Sequence, residues 1–241
     1  MNNASRLSRK SIETQDRLIV ALDFDTIAAA KELVETLGES VTFYKVGLQL
    51  FMTDGYYDLV DWLSDRHKKV FVDLKFFDVP QTVGSAVRQL KDRKATFATV
   101  HGNDEILKAA VKEKGTLKIL AVTVLTSLDR NDLKDLGFDC DVSQLVLSRA
   151  KRAFAIGCDG VISSGMEAQA LRDNLEDNFL IVTPGIRPVD NVDDQKRTVD
   201  VEEAFLSGAD YIVVGRPIKD AENPAQAAQN IQDRIRQLFE A

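Results

Sequence analysis

The sequence predicts an α/β chain folded as a single-domain (β/α)8 barrel, the TIM barrel, and three observations carry that prediction. Eight short apolar runs alternate with stretches of helical periodicity from residue 17 to the end. Strands that alternate with helices form parallel sheets, because parallel neighbours need a crossover connection. The chain has 241 residues, and a closed barrel of this kind typically needs about 250. The competing architecture is an open doubly wound sheet, but no GxGxxG follows the first strand and the count of units suits closure.

In order, RLIVALDF (17–24) is the first predicted strand, followed by a helix over 26–37 that Gly38 closes. VTFYKVG (41–47) precedes a helical pattern over 49–65, where Trp62, with Leu59 and Leu63 at helical spacing, reads as core. KKVFVDLK (68–75) precedes a helix over 81–94, and TFATVH (96–101) precedes one over 104–112. KILAVTVL (118–125) leads to a helix over 143–156 stopped by Gly157, and CDGVISS (158–164), with Cys158 packed inside, leads to one over 166–174. FLIVTPG (179–185) opens onto a polar stretch, 188–198, expected to be a functional loop before a helix over 201–207. DYIVVG (210–215) is the eighth strand, and a helix over 224–239 ends the chain. No Pro/Gly/Ser-rich linker divides it, so residues 17–241 read as one catalytic domain and residues 1–16 as a loose N-terminal extension.

Bulk properties narrow the function. A formal net charge of -7 argues against broad binding to nucleic acid or anionic membrane, which needs a basic face. The two cysteines, Cys140 and Cys158, and the two histidines, His67 and His101, lack metal-ligand spacing, and no disulfide framework is expected. No segment reaches about 18 uninterrupted apolar residues, and the N-terminal stretch lacks the apolar core of a signal peptide. A cytoplasmic protein is expected.

Chemistry in such a barrel sits at the C-terminal ends of the strands. Asp23 ends the first strand, Lys45 lies on the second, and Asp73 and Lys75 lie two apart on one face of the third, with Asp78 just beyond. These five are expected to satisfy one another as an alternating ionic network. Thr126 follows the fifth strand and Arg187 the seventh, while Gly215 and Arg216 end the eighth. Barrels often hold phosphate near the loops after strands seven and eight, where Gln195 also falls; Gly215 permits close backbone approach and Arg216 supplies a planar fork of donors. His101 reads as a structural hydrogen-bonding residue.

LIVALDF, FYKVG, DLKFFDVPQT, VLTS, VTPGIR, DQ and VVGRP, in this order, resemble the bacterial type of the orotidine 5'-phosphate decarboxylase family from Arg17 onward. The resemblance implies cofactor-free, metal-free conversion of orotidine 5'-monophosphate (OMP) to UMP and carbon dioxide in pyrimidine biosynthesis. It implies that Lys75 protonates C6 of the pyrimidine, that Asp73 stands beside the departing carboxylate, and that Lys45 and Asp78 complete the charged array. Asp23 and Lys45 then match ribose contacts, Thr126 the pyrimidine contact, and Arg187, Gln195, Gly215 and Arg216 the phosphate site. Asp78 and Thr82 match residues that reach the neighbouring subunit's site, which implies a homodimer. Phe77 stands where many relatives have His, Gln81 where many have Asn, and HGND follows the fourth strand where small residues are common. The segment from Arg187 to Gln195 is one residue shorter than in some relatives. A magnesium-dependent phosphosugar decarboxylase or aldolase sharing D-x-K-x-x-D is the nearest rival, and a non-catalytic nucleotide-phosphate binding protein the next.

Overall fold

Residues 6–186 and 199–240 are described by the computed structural model, and within them all eight strands close into one parallel barrel in sequence order. The strands are β1 (Leu18–Ala21), β2 (Phe43–Gly47), β3 (Lys69–Phe76), β4 (Phe97–Val100), β5 (Lys118–Val122), β6 (Gly160–Ile162), β7 (Leu180–Thr183) and β8 (Tyr211–Val214). The helices are α1 (Ile27–Leu37), α2 (Leu48–Phe51), α3 (Tyr56–Asp65), α4 (Pro80–Lys91), α5 (Asp104–Glu113), α6 (Arg130–Asp135), α7 (Val142–Ile156), α8 (Gly165–Asn174), α9 (Val201–Leu206), α10 (Arg216–Lys219) and α11 (Pro224–Phe239). Ile19 of β1 pairs with Phe43 of β2 on one side and Val213 of β8 on the other, which closes the ring.

Alternation along the strands splits the apolar residues into two cores. Leu18, Val20, Tyr44, Val46, Val70 and Val72 face the helices, while Ile19, Phe43, Phe71, Phe97, Leu120 and Tyr211 fill the barrel. The rings of Phe43, Phe97 and Tyr211 lie 5.1–5.9 Å apart in tilted or edge-on pairs and plug the barrel interior. Each buried aromatic side chain of this kind is worth roughly 2–3 kcal/mol in removed apolar surface. Two residues further along the same inward face stand Lys45 after Phe43, Asp73 after Phe71 and Thr99 after Phe97. The plug therefore forms the floor beneath a polar layer.

Local chemistry sets the element ends. Thr26 and Asn103 accept backbone N–H bonds at the starts of α1 and α5, and Pro80 occupies the first turn of α4, where its missing N–H costs nothing. Gly157 ends α7 in the left-handed conformation. The helix expected over 49–65 is two helices, α2 and α3, because Gly55 adopts φ +87 and breaks the path between them. Trp62 is only half-buried; the Arg66 guanidinium stacks on its ring at 3.9 Å, so it borders the core rather than joining it. Cys158 is buried as expected, and burial pushes its thiol up to about 12.

The N-terminal extension is tied down where it is described. Ser8 and Lys10 both reach the carboxylate of Asp210, which is fully buried and also takes a bond from Arg172 at 2.8 Å and the Ile181 N–H at 2.8 Å. Arg17 stacks on Phe239 at 3.7 Å and donates to the carbonyls of Lys10 and Asp210. A fully buried carboxylate is costly unless it is paired and hydrogen-bonded, and here the strap supplies two of the partners. Looseness gives way to that demand.

Candidate active site

At the C-terminal mouth of the barrel lies a cavity of about 490 Å³ lined by Asp23, Lys45, Asp73, Lys75, Thr126, Gly215 and Arg216, among others. Small-molecule sites usually span about 300–1,000 Å³. Asp23, Lys45, Asp73 and Lys75 form one chain of alternating charge. The Lys45 ammonium donates to Asp23 Oδ1 at 3.0 Å and lies 3.8 Å from Asp73 Oδ2, and the Lys75 ammonium donates to Asp73 Oδ1 at 2.9 Å. A Cβ on Gly47 would stand 3.2 Å from Lys45 Nζ, so the glycine that ends β2 keeps room for that ammonium.

The backbone is bent to achieve this. Lys75 has φ +49, a conformation that costs a non-glycine residue of order 1–3 kcal/mol, and the β3–β4 register shifts between Val72 and Phe76. Thr99 compensates: its hydroxyl accepts the Lys75 N–H at 2.9 Å and donates to Asp73 Oδ1 at 2.9 Å. Burial alone would push the Asp73 carboxyl up; the Lys45 and Lys75 charges, with hydrogen bonds from Lys75 and Thr99, overcome that and hold it below the ordinary carboxylate range. Asp73 is therefore ionised at neutral pH.

The expected network loses one member. Asp78 is exposed, its carboxylate accepts from the Val79 N–H, and it is not among the residues lining the cavity. It lies past the end of β3, where the chain has already turned outward toward α4. Thr82, on the first turn of α4, is likewise exposed and away from the cavity. Arg187 and Gln195 lie outside the described residues. His101 lines a separate cavity with Phe77 and Arg149, not the central one, and its buried Nδ1 has no hydrogen-bond partner among the described residues. Burial, reinforced by Arg149 and Lys75, pushes its pKa down, so the ring is neutral at pH 7.

Three residues around the site escaped the sequence reading. Thr99 was legible in principle, because it follows Phe97 by two on the inward face. Lys219 lines the cavity and donates to the Asp23 carbonyl at 3.0 Å. Gln49, also in the lining, donates to Asp25 at 2.7 Å. Among the described residues, no group of three or more His, Cys, Asp or Glu side chains could hold a metal ion, and no helix is long and apolar enough to cross a membrane.

Residues 16–231 match the family described as Orotidine 5'-phosphate decarboxylase / HUMPS family. The chain is 62% identical over 237 residues to an orotidine 5'-phosphate decarboxylase of Methylococcus capsulatus, covering 98% of each chain. It is 46% identical to the one from Nitrobacter winogradskyi, over 97% of each. Among solved structures, the orotidine 5'-phosphate decarboxylase of Lactobacillus acidophilus superposes with a TM-score of 0.82 at 36% identity, over 91% of this chain and 99% of that one. That of Pyrococcus horikoshii gives 0.74 at 26% identity, over 91% and 99%.

Proposed function

The chain belongs to the orotidine 5'-phosphate decarboxylase / HUMPS family and decarboxylates OMP to UMP in pyrimidine biosynthesis, and from that premise we propose that Lys75 delivers the proton to C6 within the Asp23–Lys45–Asp73–Lys75 chain. The continuity of that chain along one wall of the cavity is the observation that carries the reading. When the bond from C6 to the carboxylate breaks, carbon dioxide leaves and the electron pair stays on C6. No electron sink in the ring readily absorbs it, so a fixed ammonium beside C6 stabilises the developing charge and then supplies its proton.

Lys75 suits that role because its ammonium is only part-buried, on the side of the cavity, while Thr99 holds its backbone N–H and Asp73 aims its ammonium. Asp73, held ionised, repels the substrate carboxylate in the ground state, and that repulsion is relieved as carbon dioxide departs. Asp23 and Lys45 take the ribose hydroxyls, Thr126 reads the pyrimidine, and Gly215 and Arg216 grip the phosphate together with Arg187 and Gln195. Phosphate bound far from C6 supplies binding energy that aligns the reacting carbon. The outward-facing Asp78 and Thr82 complete a neighbour's site in a homodimer, so each cavity is finished by Asp78 of the partner subunit. A cytoplasmic place of action accords with this chemistry.

The test is loss of OMP absorbance with purified protein and chelator present, in wild type and Lys75→Ala. Wild type turns over, whereas Lys75→Ala loses about 10³-fold or more in kcat and still binds UMP, as expected when an interaction made chiefly in the transition state is removed. Near-normal turnover by Lys75→Ala would sink the assignment, and loss of wild-type turnover with chelator would point to the magnesium-dependent rival.

A further inference from the structure

We infer that Lys219 is a positioning residue that couples the phosphate end of the cavity to its charged end, an inference that rests on the function proposed above. Beyond Ala21 the β1 ladder runs out: β1 pairs with β8 up to Val20 and Val214, and with β2 up to Ala21 and Lys45, after which the Leu22 N–H reaches the Lys45 carbonyl. The Asp23 carbonyl has left the sheet and needs a partner in the half-buried mouth. Lys219 supplies it, donating from Nζ at 3.0 Å across 196 residues of sequence.

The lysine is itself held at both ends. Its backbone N–H donates to the Gly215 carbonyl at 2.9 Å, so its position follows that of the Gly215–Arg216 turn. Its ammonium lies 5.3 Å from the centre of the Phe24 ring and 3.7 Å from Asp220, which limit its swing. Gly215, at the start of the same turn, lies near the Asp23 carboxylate: a Cβ built on it would stand 3.8 Å from Asp23 Oδ2 and 3.5 Å from Ala21 Cβ. Lys219 therefore ties the Asp23 backbone to the turn that carries Gly215 and Arg216. Any displacement of that turn reaches Asp23, then Lys45, Asp73 and Lys75 through contacts of 3.0, 3.8 and 2.9 Å.

The consequence is a division of labour between two cations that line one cavity. Arg216 meets the phosphate, and Lys219 passes the resulting order to the ribose-reading carboxylate. Lys219 therefore acts on the rate of the bound substrate more than on affinity, because misplacing a group that aligns the substrate is felt chiefly in the transition state.

The experiment measures kcat and KM for OMP and Kd for UMP in wild type, Lys219→Met and Lys219→Arg. Lys219→Met lowers kcat about tenfold while the UMP Kd moves by less than about threefold, and Lys219→Arg recovers most of kcat because its guanidinium can donate to the same carbonyl. If Lys219→Met fails to fold, Lys219→Gln, whose shorter head stops short of Asp23, carries the same comparison. Retention of kcat within about twofold in Lys219→Met or Lys219→Gln, or a UMP Kd weakened about tenfold with kcat kept, overturns the inference, the second outcome marking a direct phosphate ligand. An inactive wild type overturns the function reading and this inference with it, whereas an active wild type with an unaffected Lys219 variant overturns this inference alone.

Discussion

The Thr99 hydroxyl joins two needs at the mouth of the barrel, accepting a Lys75 N–H that the shifted ladder has released and donating to the Asp73 carboxylate. Replacing it with valine leaves an N–H and a buried carboxylate each short of a partner. Thr99→Val therefore lowers kcat for OMP about tenfold or more, the worth of one hydrogen bond to a charged group. The pH dependence has a definite sign. Asp73 has a folded pKa below its unfolded value of about 3.9, so its ionised form adds stability above about pH 4 that is lost as pH falls through the folded value. Thr99→Val removes one cause of that depression, and the acid limb of kcat/KM moves to higher pH; an unmoved limb in a pH–rate profile would count against it. At this scale Asp73 and Lys75 were legible because two-residue alternation puts them on one face. Thr99, though on the inward face two after Phe97, drew no notice because threonine is an ordinary strand former, and Lys219 was hidden because its partner is 196 residues away. Where Asp78 points was not legible, because alternation says nothing of a residue beyond the strand's end.

Among the elements, β6 sits at a pinch point. A Cβ on Gly160 would lie 2.5 Å from the Leu180 carbonyl oxygen and 2.6 Å from Leu180 Cβ on the adjacent β7, and neither atom is the free end of a flexible side chain. Gly160→Ala forces the two strands apart and destabilises the fold by about 2 kcal/mol or more, read as a lower urea midpoint. An unchanged midpoint would mean the ladder yields without strain. All eight strands were legible from apolar runs alone, and the long helices from their periodicity. The short helices α6 and α10 were not, since α10 spans only four residues and α6, RNDLKD, buries a single apolar side chain, Leu133, so neither displays a repeat. The split between α2 and α3 was missed because apolar residues flank it closely on both sides, although Asp54-Gly55 is a turn-marking pair.

For the whole molecule, the barrel followed from length and alternation, but assembly did not, because nothing in the periodicity of one chain encodes its neighbour. The surface does carry a pointer: Phe77 and Val79 are 68% and 61% exposed on either side of Asp78. Two large apolar side chains bracketing a carboxylate fit a face that is covered by a second copy. Mixing Lys75→Ala with Asp78→Asn tests the shared site. Each variant alone is nearly inactive, and a fully exchanged equal mixture regains about one quarter of wild-type sites, because half the dimers are mixed and each has one intact site. A mixture no more active than its parts would mean Asp78 serves its own cavity or none. The strap at the other end of the barrel has a consequence for biosynthesis. Ser8 and Lys10 find Asp210 only across 202 and 200 residues, and β1 pairs with β8, so the strap and β1 wait for segments synthesised much later. Until then β1 keeps one unpaired edge and the strap has no dock, which makes ring closure a late, high-contact-order event in which the nascent chain is most open to aggregation.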